Sequence, residues 1–139
     1  MQYRKGKEFG ERRKKQGDLF EEYYIYYESG NLKHEACIFI KNGFFKGKGY
    51  LYDITGNLKE VIDYDAPYKY TWEDVLKFVK KHKIDLYDTY TIIDRDKNVK
   101  YGHYWDIAWK VPSTMNVYVV ILSGEDGRIL MQRIDTFKR

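Results

Sequence analysis

The sequence predicts an α+β protein: an N-terminal antiparallel β-meander built from two hairpin repeats, followed by one helix packed on a C-terminal antiparallel sheet. Three observations lead there. The tetrapeptide Gly-Asn-Leu-Lys begins at Gly30 and again at Gly56, 26 residues apart, a spacing within the range of a repeated structural unit. Apolar and polar side chains alternate along most of the chain, the period of a half-buried strand. A single stretch, beginning at Thr71, switches to the period of an amphipathic helix.

Residues 1–16 hold seven Lys and Arg against Glu8 and Glu11, and this local excess of like charge reads as a basic, flexible arm. Residues 17–66 carry the hairpins. In the run from Asp18 to Glu28, Leu19, Tyr23, Ile25 and Tyr27 fall on one side, and Phe20, Glu22, Tyr24, Tyr26 and Glu28 on the other. The side with fewer glutamates is expected inward. Ser29-Gly30-Asn31 makes the connection, with glycine supplying the positive φ of a tight turn. The next strand places Leu32, His34, Ala36, Ile38 and Ile40 on its inner face, and Lys33, Glu35, Cys37, Phe39 and Lys41 on its outer one. Asn42-Gly43 is a hairpin signal, and the strand after it is broken by Gly47 and Gly49. A turn over Ile54–Asn57 and a strand through Tyr64 complete a four-strand meander.

Pro67 marks a boundary, and residues 67–139 form helix plus sheet, expected to make one compact unit with the repeats. Thr71 can cap the helix, Asp74 completes a capping box, and Trp72, Val75, Leu76 and Val79 form the apolar stripe. Lys80, Lys81, His82 and Lys83 gather at the negative end of the helix dipole. Four strands follow, with turns expected over 94–98, 112–116 and 123–127, and with His103, Trp105, Ile107, Trp109 and Val111 on one face of the second strand.

The run from Tyr26 to Glu60, with its Tyr-x-x-x-Gly-x-Leu-Lys rhythm, Asn-Gly turn and Gly-x-Gly-Tyr strand, resembles the MORN-like repeats of the YwqK-type antitoxin family over residues 17–64. The second unit departs from that pattern at Asp65-Ala66-Pro67-Tyr68, where the next Asn-Gly turn would stand. Residues 71–134, through the strand Tyr104-Trp-Asp-Ile-Ala-Trp109 and the Asp126-Gly127 hairpin, are similar to the PepSY-type domain. The first resemblance implies an antitoxin or immunity protein that occludes a cognate bacterial toxin. The second implies a module that binds a peptide or a peptidase.

The composition, 43% hydrophobic and 33% charged, fits a globular chain and excludes a disordered or collagen-like one. The net charge of +4 sits at one end: with the arm's surplus of five removed, the remaining chain stands at −1. Nucleic acid is therefore disfavoured as a partner, because a binding groove needs positive charge near its stacking rings. The lone Cys37 makes no internal disulfide and reads as a buried thiol. No apolar run reaches a membrane span, and the start lacks the apolar core of a signal peptide. A cytoplasmic location is expected, although a leader removed ahead of Met1 would leave the same pattern.

Catalytic and metal-binding readings fare poorly. Asp94, Asp96 and Asn98 copy the opening of a calcium loop, but Val99 and Trp105 stand where Gly and a bidentate Glu are required, so a polar hairpin turn is expected. His34, His82 and His103 share no ligand spacing. His34 and His103 remain conceivable general bases, yet neither stands in a nucleophile-bearing motif, and Ser29, Ser113 and Ser123 are turn residues. No cofactor is expected. Aromatic surface is what remains: 15 tyrosines supply rigid, amphipathic contact area, and strand phase points Tyr24, Tyr26, Phe39, Phe44, Tyr50 and Tyr52 to the outer face. The sequence thus predicts a non-enzymatic binding protein with a protein partner, held through those six rings.

Overall fold

Among the described residues, ten strands and one helix follow in chain order: β1 (Gln2–Lys5), β2 (Glu8–Lys14), β3 (Phe20–Tyr26), β4 (Leu32–Phe39), β5 (Phe45–Tyr52), β6 (Leu58–Asp63), α1 (Trp72–Lys81), β7 (Ile92–Asn98), β8 (Gly102–Lys110), β9 (Asn116–Ser123) and β10 (Ile129–Thr136). This computed structural model describes residues 2–5, 8–14, 19–41 and 43–136, the first four by backbone alone. The chain divides into two compact units, Met1–Ala66 and Pro67–Arg139.

The first unit is an antiparallel meander of six strands in sequential order, two more than expected. The expected flexible arm is corrected here: Gln2–Lys5 and Glu8–Lys14 are strands, whereas residues 1, 6, 7, 15 and 16 lie outside the described ones. Charge explains the pairing of β2 with β3, because Arg13 and Lys14 stand opposite Glu22 and Glu21, and Arg12 Nη1 comes within 3.6 Å of Glu21 Oε1.

The repeated tetrapeptide builds two equivalent turns. Tyr27 N–H donates to Asn31 O at 2.8 Å and Gly30 N–H to Tyr27 O at 2.9 Å. Twenty-six residues on, Asp53 N–H donates to Asn57 O at 2.9 Å and Gly56 N–H to Asp53 O at 3.0 Å. Gly30 and Gly56 take φ of +92° and +93°, open to glycine and strained for other residues. The turns are stitched together: Asn31 Nδ2 donates to Ile54 O, and the Tyr27 hydroxyl to Tyr52 O, each at 2.8 Å. The second turn has Asp53 where the first has Tyr27, and Asp53 closes on itself by accepting from Thr55 N, Thr55 Oγ1 and Asn57 N. Of the expected Asn42-Gly43 turn, Asn42 lies outside the described residues; Gly43 N–H donates to Phe39 O.

In the second unit, Thr71 and Asp74 form the capping box that starts α1, and Trp72, Val75 and Val79 are buried along its apolar stripe. The sheet runs β10-β9-β8-β7, all antiparallel. Trp105, Ile107 and Ile93 have no exposed surface and stand on one face, where Trp105 meets Trp72 with ring centres 6.2 Å apart. The Trp105 indole donates to Tyr70 O at 2.9 Å, and Tyr70 N–H donates to Gly124 O, fixing the segment before the helix over the β9–β10 turn. The opposite face buries Ala108, Val117 and Val119, with Met131 packed on them. Asp94, Asp96 and Asn98 belong to β7 and not to a turn, which falls instead on residues 99–101; Asn98 Oδ1 accepts from Tyr101 N at 2.7 Å. The alternation is polar there because β7 is an edge strand with one face wet.

Candidate functional site

Strand register brings one row of side chains across five strands of the first unit. Glu11 of β2 stands opposite Tyr24 of β3, Tyr24 opposite Glu35 of β4, Glu35 opposite Tyr50 of β5, and Tyr50 opposite Val61 of β6. Facing residues of paired strands share a sheet face, so acid and ring alternate along the row. Tyr26 and Tyr52 lie two residues further along their strands and extend the same face. Four of the six ring positions read from the sequence thus come together, each half-buried.

Three of these rings, Tyr24, Tyr26 and Tyr52, are tied to their neighbours. Tyr24 stacks on Tyr26 with centres 6.5 Å apart and planes 24° from parallel, and the Arg13 guanidinium covers Tyr24 at 4.9 Å. The Tyr24 hydroxyl donates to Glu22 Oε2 at 3.2 Å, and the Tyr52 hydroxyl to Glu35 Oε1 at 2.6 Å. The bond to Glu35, aided by burial, pushes the Tyr52 phenol up to about 12; burial and then Glu22 raise that of Tyr24. Both phenols stay protonated at neutral pH, so the face offers hydroxyl donors and ring area with few free rotors.

Phe39 and Phe44 are not part of the exposed ring surface, a correction to the expected outward placement. They are 1% and 5% exposed, stacked with centres 5.0 Å apart, and Phe20 meets both edge-on at 5.5 and 5.9 Å. By register Phe39 shares the face of Glu35 and Phe20, but the chain turns back directly after it, its N–H donates to Phe44 O, and Phe44 and Phe20 cover the ring. Cys37 is half-buried on β4 and not fully buried as expected.

The histidines are dispersed. On the other face of the first unit, His34 packs between Tyr23 and Phe45, at 5.5 and 5.2 Å, and its Nε2 lies 3.2 Å from the Tyr64 hydroxyl. Burial, then the Lys33 charge, lowers its basicity, so the ring is neutral near pH 7. A groove of about 440 Å³ beside it is lined by Glu8, Tyr23, Ile25, Lys33 and Leu51, where Glu8 pairs with Lys33. His103 stands edge-on to Tyr68 at 5.3 Å, with Nδ1 buried and unpaired among the described residues. His82 stacks on Phe78 at 4.2 Å. Among the described residues, no three His, Cys, Asp or Glu side chains converge as metal ligands, and no helix is long and apolar enough to cross a membrane.

Sequence reading missed one feature of the second unit. The end of α1 and strands β8 to β10 enclose an open groove of about 560 Å³, lined by Phe78, His82, Trp109, Tyr118, Ile129 and Ile134. Trp109 meets Phe78 at 5.9 Å and Tyr118 at 5.5 Å, while Ile129 and Ile134 remain 55% and 57% exposed. The available signal was Phe78, an apolar residue off the helix stripe. Comparisons with protein-family models, curated proteins and solved structures find no match for this chain.

Proposed function

We propose that this chain is a non-enzymatic protein-binding module of the cytoplasm, an antitoxin or immunity protein that neutralises a cognate bacterial toxin by occluding it. The observation that carries the reading is the row Glu11, Tyr24, Glu35, Tyr50 and Val61, with Tyr26 and Tyr52 beside it. Tyr24, Tyr26 and Tyr52, held by carboxylates or by each other, lose little rotamer freedom on contact, and the row offers ring area beside polar groups that make directional bonds. Occlusion asks for this kind of surface and for no reacting group. The MORN-like rhythm of the repeats supports the assignment to the antitoxin class.

The probe is the product of the coding region next to this one. Co-expression is expected to co-purify the two proteins and to rescue cells that express the neighbour alone. Tyr24→Ala and Tyr50→Ala should each weaken the complex about 30-fold, the effect of removing an interface anchor worth ~2 kcal/mol. A neighbour that is neither bound nor neutralised overturns the reading.

One observation favours a second reading, a PepSY-like peptide- or peptidase-binding module: the apolar groove of the second unit lies beside β10, the edge strand of its sheet. An extended peptide could dock its side chains there. Ile134→Asp charges the groove at an exposed position and should abolish peptide capture while leaving toxin neutralisation intact.

A further inference from the structure

Strand β6 ends the six-stranded sheet, with no strand beyond it among the described residues. Leu58 and Val61 on it are 55% and 47% exposed, unusual for an edge, which is ordinarily blunted. The backbone phase of this edge follows from Tyr64, whose N–H donates inward to Gly47 O at 2.9 Å. Alternate residues of a strand direct their backbone groups to opposite sides, so Glu60 and Ile62 turn theirs toward β5, whereas Val61 and Asp63 present theirs to the open side.

We propose that β6 pairs antiparallel with β6 of a second copy of this chain, with Val61 opposite Val61 of that copy. A sheet that continues across a two-fold axis keeps each copy's faces on the same side, so the axis must pass through a residue pair and not between residues. Three centres are available. Centring on Glu60 sets that carboxylate against itself. Centring on Ile62 sets Val61 against Asp63 and Glu60 against Tyr64. Centring on Val61 lets the two Val61 residues exchange their outward N–H and C=O groups, sets Glu60 against Ile62, and brings Lys59, at the bulge that ends the regular part of β6, beside Asp63 twice. Charges that repel unrelated strands become attractive in this register alone, and the same segment therefore both blocks general aggregation and selects its own copy. The pairing would continue the Tyr24–Glu35–Tyr50–Val61 row into the second molecule. It goes beyond toxin binding, since it is read with this protein alone. A contact of six residues a side lies below the ~1,200 Å² of standard interfaces, so the dimer is reversible.

The experiment is sedimentation velocity of the full chain over about a hundredfold range of concentration, with two charge variants. Wild type should pass from monomer to dimer. Lys59→Asp sets Asp against Asp at both sites, and Asp63→Lys sets Lys against Lys; each alone should raise the dissociation constant about tenfold, as two cross-strand pairs turn from attraction to repulsion. An equimolar mixture of the two variants restores both attractive pairs and should associate like wild type. Asp63 also caps the turn that follows β6, through a 3.1 Å bond from Asp65 N–H, so a backbone measurement on wild type accompanies the series. Deuterium uptake at Val61 should slow as concentration rises. A chain that remains monomeric, a dimer indifferent to both variants, or uptake at Val61 that ignores concentration overturns the proposal.

Discussion

The Tyr52 hydroxyl donates to Glu35 Oε1 at 2.6 Å, joining β5 to β4 across the tyrosine face. An ionised phenol could not make this bond, and the protonated form is favoured until pH approaches 12. A phenol whose folded value lies above its ordinary value of 10.0 adds stability that is complete below pH 10 and is lost as pH climbs to about 12. Glu35→Gln should therefore shift one phenol downward in an ultraviolet titration and flatten the loss of stability over that alkaline range.

His34 carries the opposite sign at the acid end. Folding holds its imidazole below the ordinary value of 6.5, so the unfolded chain takes up the proton first, and stability falls as pH drops through that value. His34→Phe keeps the ring between Tyr23 and Phe45 and removes the titration. Urea midpoints measured from pH 7.5 to 5 should decline less in the variant than in wild type, and parallel declines would refute the linkage.

Two glycines with similar backbones should respond differently. Gly127 has φ +76°, and a Cβ there would meet the Tyr70 ring at 2.2 Å; Gly30 has φ +92° and open space around it. Gly127→Ala should cost about 2–4 kcal/mol, combining backbone strain with overpacking, against about 1 kcal/mol for Gly30→Ala. Trp72, Trp105 and Trp109 all belong to the second unit, so tryptophan fluorescence should follow the first substitution.

Asp94 and Asp106 stand directly opposite each other on β7 and β8, and burial raises both carboxyl groups, with Asp106 and Asp96 adding repulsion at Asp94. A carboxyl group whose folded value is raised contributes stability at low pH that disappears as pH rises through that value. Asp94→Asn retains the oxygen that accepts from Arg95 N–H at 2.8 Å and removes the charge. The variant should melt higher than wild type at pH 7, with the gap closing as pH falls toward 3.8.

The sequence disclosed those parts of the fold that depend on local chemistry. Thr71 and Asp74 announce their helix, and Gly30 and Gly56 their turns, because each acts within a few residues. Tyr24, Tyr26, Tyr50 and Tyr52 were legible as one face because alternation survives along β3 and β5. The burial of Phe39 and Phe44 was not, since phase sets the face of a ring and the turn between the two decides what covers it. The strand at Glu8–Lys14 was hidden by its charge, whose meaning depends on Glu21 and Glu22 in a different strand. The groove of the second unit unites Phe78 with Ile134, 56 residues apart, and no local pattern encodes such a meeting.

The stitching of the two turns makes the first unit modular. Residues 27–52 form one complete period, with Tyr27 and Asn31 reaching forward to the following turn and Asp53 ending the series. Inserting a second copy of that block after Tyr52 should lengthen the meander to eight strands, with the new Tyr27 equivalent tethered as the original is. Circular dichroism would register the added strand, and the molecule would become a ruler whose length is set by counting copies.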